Sequence, residues 1–99
     1  MAQPWGFGIW QVKPGREQDF VDRWSELARW TSENFRGAGA KLLRDREDPS
    51  RFVSMFAWED DDAVQEWLDD PSFAGRRAAL QETVADGDRK TYDMAVAID

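Results

Sequence analysis

Histidine and cysteine are both missing from the 99 residues. Without histidine the chain lacks the commonest metal ligand and the side chain best suited to proton transfer near neutral pH; without cysteine it has no disulfide scaffold, thiolate metal site or thiol nucleophile. Long apolar runs are missing as well. The N-terminal segment MAQPWGFGIWQVKPG has no basic stretch before its short apolar run, so neither a signal peptide nor a membrane span is expected, and a cytoplasmic location follows as an expectation. Positive charge is in the minority, with 13 Lys and Arg against 20 Asp and Glu and a net charge of −7. Such a surface repels phosphate backbones and anionic lipid, so neither nucleic acid nor membrane is an expected partner.

What the chain has in quantity is large aromatic rings, six tryptophans and six phenylalanines. One domain, residues 1–99, is expected, long enough to bury roughly 60 to 70% of its unfolded surface around a single core. The segment WGFGIWQV reads as a strand with Trp5, Phe7 and Ile9 on one side and Gly6, Gly8, Trp10 and Val12 on the other. Pro14-Gly15 ends it. Phe20, Val21, Trp24, Leu27 and Ala28 then recur at helical spacing, which predicts an amphipathic helix over 17–34, with the lone asparagine Asn34 as its C-terminal cap.

Gly37 and Gly39 mark a turn into a more polar strand over 40–46, suited to a sheet edge, and Glu47-Asp48-Pro49-Ser50 turns the chain into an antiparallel partner over 52–58. Neither face of FVSMFAW carries a charge, as in a strand buried on both sides. Asp60 is placed as a helix N-cap with Asp61 and Asp62 in the first turn, which accounts for the three aspartates without a metal. Val64, Trp67 and Leu68 form the stripe of that short helix, Pro71 stops it, and a further helix is expected from Phe73 to about Ala85, capped by Ser72. Gly87 closes that segment, and the alternation of Tyr92, Met94, Val96 and Ile98 predicts a last strand over 91–98.

The order strand, helix, strand, strand, helix pair, strand is that of an α+β, ferredoxin-like split βαβ sandwich: a four-stranded antiparallel sheet with helices on one face. The first and third strands are apolar on both faces, so the helix-free face is expected to be covered by a second copy, the two sheets facing each other in a dimeric α/β barrel. The glycine side of the first strand, Gly6 and Gly8, is assigned to the interior between the sheets, either to leave room for a ligand or to allow close sheet packing.

The segments VKPGREQDFVDRW, GAGAKLLRD and PSRFVSMFAWEDDDAVQEWLDDPSF resemble the antibiotic biosynthesis monooxygenase superfamily of dimeric α/β barrels, over about Trp5 to Ile98. The resembling features are the strand-to-tryptophan junction at Trp58, the acidic helix start, Trp67 and the pair Ser72-Phe73. The resemblance implies oxygenation of aromatic intermediates without metal or flavin. A haem-degrading branch is also implied, in which a first-strand asparagine, a helix tryptophan and a histidine iron ligand form the site. Those positions fall here at Gly8, Trp67 and Arg77, so two of three groups differ; Tyr92, Met55 and Met94 are the remaining side chains able to ligate iron. The cofactor-free branch fits the inventory better.

On that resemblance Trp67, Tyr92 and Arg77 are the candidate catalytic residues. Gly8, Trp10, Phe56 and Trp67 are the candidate substrate-binding residues, in a pocket between sheet and helices. No metal and no cofactor is expected. Each candidate also has an ordinary role: Trp67 as packing, Arg77 as a solvated helix charge, Tyr92 as a half-buried strand aromatic. Two functions therefore stay open, a cofactor-independent monooxygenase of a small aromatic or enolisable compound and a non-catalytic dimeric ligand-binding or structural domain.

Overall fold

The structure, a computed structural model, describes residues 3–99, apart from the side chain of residue 38. Its elements run β1 (Pro4–Val12), α1 (Glu17–Asn34), β2 (Gly37–Arg44), β3 (Arg51–Trp58), α2 (Asp61–Asp69), α3 (Pro71–Gln81) and β4 (Val84–Asp93). The strands form one antiparallel sheet in the order β2-β3-β1-β4, so the two apolar strands are central and the two polar ones are edges. This is the ferredoxin-like α+β fold, with all three described helices on one face.

Strand alternation decides which residues meet the helices. Gly6, Gly8, Trp10 and Val12 of β1 and Phe52, Ser54, Phe56 and Trp58 of β3 are the buried series of their strands. The glycine side of β1 therefore faces the helices and not a second sheet, which corrects the expected assignment. The apolar side chains on this face fall into two groups. One gathers Trp10, Val12, Phe20, Phe52, Leu80 and Val84; the other gathers Phe56, Trp58, Ala63, Val64, Trp67 and Phe73, and Leu27 of α1 packs against both. The opposite face carries Trp5, Phe7, Ile9, Val53 and Met55, with Leu43 and Tyr92 beside them on the edge strands. Ile9, Leu43 and Tyr92 are about half exposed there, at 44%, 51% and 51%.

Local chemistry sets most boundaries. Asp60 caps α2, its carboxylate accepting from the Ala63 N–H at 2.8 Å, and it also meets Arg36 at 2.9 Å. Asn34 closes α1 by donating from Nδ2 to the Trp30 carbonyl at 2.8 Å. Pro71 opens α3 instead of merely ending α2: it sits in the first turn, where its missing N–H costs nothing, and Asp70 caps the helix by accepting from the Ser72 N–H at 2.8 Å.

The expected end of α3 and start of the last strand are both displaced. The helix stops at Gln81, and the fully buried Thr83 donates its hydroxyl to the Leu80 carbonyl at 2.7 Å. The strand begins at Val84, with Gly87 inside it, and ends at Asp93. Pairing with β1 from Val12↔Val84 to Pro4↔Asp93 uses the full length of that strand. The alternating Met94, Val96 and Ile98 lie beyond the ladder and are exposed. Backbone pairing thus overrides side-chain alternation at this edge.

Tryptophan and glycine fit together on the helix face. A methyl group at Gly8 would come within 2.6 Å of Trp10 Nε1 and 2.7 Å of Ser54 Oγ, and one at Gly87 within 2.5 Å of the Trp10 ring. Gly8 thus leaves no empty space; the Trp10 indole fills it. Gly75 in α3 is the contrasting case, with nothing within 4 Å of such a methyl. Gly8→Ala is expected to destabilise the fold by about 1–3 kcal/mol through overpacking, and Gly75→Ala to stabilise it by about 0.5–1 kcal/mol. Urea unfolding of both variants against the parent measures both signs.

Candidate active site

The two apolar groups do not close on each other. Between them, under α1 and α3 and above the sheet, lies a partly open cavity of about 200 Å³. Trp10, Phe56, Trp58, Trp67 and Phe73 supply its aromatic wall, and Arg77 and Arg89 border it with positive charge.

Trp67 reaches the cavity because α2 is amphipathic: its buried residues are Ala63, Val64 and, one turn later, Trp67. Its indole is held from several sides. Nε1–H donates to Thr31 Oγ1 at 3.0 Å, and Thr31 in turn donates to the Leu27 carbonyl at 2.8 Å. The ring meets Phe73 at 4.1 Å and Trp58 at 5.1 Å between centroids, and the Arg89 guanidinium lies 5.0 Å from its centroid. Trp10 is fixed in the same manner, Nε1–H donating to Ser54 Oγ at 2.9 Å. Trp58 differs: it is 1% exposed, and its Nε1–H has no acceptor among the described residues, as is also true of Trp5 on the helix-free face.

Arg89 comes from β4, opposite Gly8, so its side chain enters the helix side of the sheet. Burial first, and then the neighbouring charge of Arg77, hold its guanidinium below the usual range, though a guanidinium stays protonated. Among the described residues neither Arg77 nor Arg89 is ion-paired to a carboxylate. Asp88 also borders the cavity, but it stands opposite Ile9 and so points to the helix-free face, where Lys90 lies 3.9 Å away. An acidic chain therefore keeps an apolar pocket rimmed by uncompensated positive charge. Such a pocket can hold a planar ring and favour its anionic form.

Five of the sequence candidates border the cavity or its wall in different ways. Trp67, Trp10, Phe56 and Arg77 line it, whereas Gly8 lies under the Trp10 indole, with Gly6 and Gly87 lining in its place. Tyr92 stands opposite Trp5 on the helix-free face, 51% exposed and edge-on to Phe7 at 5.9 Å, so in this chain it does not meet the cavity. Trp58, Thr31 and Arg89 were not singled out as site residues. A strand begun at Val84 would have put Gly87, Arg89 and Thr91 on one face by simple alternation; that is the signal for Arg89.

A profile of antibiotic biosynthesis monooxygenases matches residues 9–88. The chain belongs to the antibiotic biosynthesis monooxygenase family. Among solved structures, it is similar to SnoaB, a cofactor-independent oxygenase from Streptomyces nogalater, at 18% identity, TM-score 0.89 and coverage of 99% of this chain and 98% of that one. The N63A mutant of SnoaB superposes with a TM-score of 0.91 at the same identity and coverage. A conserved protein from Methanosarcina mazei Go1, 18% identical, gives 0.82 over 93% of this chain and 92% of that one. No curated protein matches the chain. At these identities the structural likeness speaks for the fold, and the family for the general class of chemistry.

For this family member, the Thr31 hydroxyl is the restraint on Trp67. Thr31→Val is nearly isosteric but leaves the indole N–H unpaired, which should cost about 1–3 kcal/mol in chemical unfolding and loosen the ring, read as a weaker near-UV circular dichroism signal. Thr31→Ser should retain both.

Proposed function

We propose that this protein is a cofactor-independent oxygenase of a small aromatic or enolisable compound bound in the cavity between sheet and helices. The observation that carries the reading is the pairing of an aromatic-walled cavity with two arginines that have no carboxylate partner. In that setting the substrate supplies the electrons. A ring CH₂ beside a carbonyl or phenol loses a proton; the anion gives electrons to dioxygen and forms a carbon–oxygen bond; loss of water from the peroxide leaves a C=O. The balance is CH₂ + O₂ → C=O + H₂O, so no external reductant enters.

The protein's part is to bind, orient and shift a proton equilibrium. Trp67 and Trp10 hold the ring, while Arg77 and Arg89 stabilise the anion and lower the pKa of the bound phenol or enol. The described cavity-lining side chains include no carboxylate aimed inward, so the proton leaves to water at the open mouth. That same lack favours a second reading, a ligand-binding domain that keeps the pocket without turnover. Tyr92 has no part in either reading within one chain.

The cavity limits substrate size. At about 200 Å³ and open on one side, it is suited to a small fused-ring aromatic. The protein is proposed to act as a homodimer, because Trp5, Phe7, Ile9, Val53 and Met55 form a continuous apolar face that no described element covers. Sedimentation is expected to give a dimer at micromolar concentration; a clean monomer would contradict the pairing.

Oxygen uptake with two-ring quinols and tetralones, and with anthrone as a larger member, tests the reaction. Turnover is expected, with Trp67→Phe lowering kcat on the order of 10- to 100-fold through loss of positioning. Ligand binding without any oxygen uptake would leave the binding domain as the better reading.

A further inference from the structure

Leu68 stands apart from the buried stripe of α2 that it was expected to join. The large apolar side chains exposed among the described residues are Ile9, Leu43 and Tyr92 on the helix-free face, Met94, Val96 and Ile98 beyond the ladder, and Leu68. Leu68 alone lies on the helix side. It is 41% exposed, in a helix whose other outward positions are Asp61, Asp62, Gln65, Glu66 and Asp69. It follows Val64 by one turn on the same row of α2, yet Val64 is buried and Leu68 is not. What Leu68 borders in place of the core is the cavity.

The wall residues also locate the mouth. Of the side chains bordering the cavity, Leu68 of α2, Arg77 of α3 and Asp88 of β4 are the exposed ones, so the opening lies between the paired helices and the edge strand. Asp88 points to the other face, which leaves Leu68 and Arg77 as the lip on the helix side. An arginine there presents the methylenes of its stem as well as its charge. A ring held inside against Trp67 has Leu68, the next residue along the same helix, at its way out.

We propose that the occupant of the cavity carries a short apolar arm, an alkyl or alkoxy chain, which leaves through the mouth and lies on Leu68. The inference rests on the reading of the cavity as the binding site and deepens it: the substrate class is a small fused-ring aromatic with an apolar side arm. Leu68 is then a specificity residue, acting on the arm and not on the reacting ring. An exposed leucine that adds nothing to the core has this use at the one place where a ligand passes it.

The test is calorimetric titration of the whole chain with 2-alkoxynaphthalenes, from the methyl through the ethyl and propyl to the butyl ether. These ethers carry no ionisable group, so the series reads the arm alone. Each added methylene should tighten binding about twofold, against about fourfold for one buried on all sides, because the lip is open to water; the butyl ether should then bind about eightfold more tightly than the methyl ether. Leu68→Gln places a good helix former at an exposed position, so its folding is little at risk. It should abolish the gain with chain length, measured against the methyl ether in the same variant, and Leu68→Met should retain it.

Binding of the methyl ether with affinity that stays level or falls along the series would overturn the proposal and leave the cavity reading standing. A full gain with chain length retained in Leu68→Gln would overturn it too, as would altered sedimentation of that variant, which would assign Leu68 to a contact between subunits. No binding by any ether would overturn it together with the cavity reading. The expected gain without oxygen uptake on any substrate would support the arm and remove the oxygenase reading alone.

Discussion

Indole rings lie against glycines on the helix side of the sheet, and much of the architecture depends on that contact. Trp10 fills the space that side chains at Gly8 and Gly87 would occupy, and the Trp58 indole edge reaches over Gly6. Flat rings laid on bare backbone make a smooth floor in place of the interdigitated one that alternating aliphatic residues would give. The helices above then pack through two separate groups of side chains, joined by Leu27, and the gap between them is the cavity. A cavity so lined costs packing energy, because its wall atoms lack neighbours on one side. Such a cost is expected where the space serves a ligand.

Polar groups at this floor are treated unequally, and the inequality is informative. Trp10 and Trp67 each meet a hydroxyl, of Ser54 and Thr31, so their rings are fixed in place before any ligand arrives. The buried Trp58 N–H, by contrast, has no acceptor among the described residues, and the Arg89 guanidinium beside it has no carboxylate partner there. Electrostatics act on two length scales here. The net charge of −7 opposes an anion at long range, but salt screens it beyond about 8–10 Å, whereas the half-buried Arg89 guanidinium and the exposed Arg77 at the rim act inside that distance. A pocket that favours anions is therefore compatible with an acidic chain.

Much of the fold was legible because the central strands and α1 carry strong periodic signals. The helix over 17–34 and the capping by Asp60 and Asn34 follow from local chemistry that tertiary contacts do not override. The last strand was misplaced for the opposite reason. VADGDRKTYD is an edge, polar on its outer side and interrupted by glycine, so alternation there is weak, while Tyr92 to Ile98 alternates but has no partner strand left to pair with. That displacement hid Arg89 inside an assumed connection. The side of the sheet that Gly6 and Gly8 face was likewise not readable from glycines, which carry no polarity; only their alternation with the buried Trp10 and Val12 decides it.

Two interiors compete for a ligand in such a fold, one between sheet and helices and one on the helix-free face. The account places the ligand in the first, and the tryptophans report on both: Trp58 and Trp67 line the cavity, whereas Trp5 lies on the other face. The most direct measurement is the ¹H–¹⁵N spectrum of the six indole N–H groups during titration with 2-naphthoate. The predicted result is a saturating shift of the Trp58 indole, with Trp67 following and Trp5 unmoved. A shift confined to Trp5, with Trp58 and Trp67 stationary, would contradict the account.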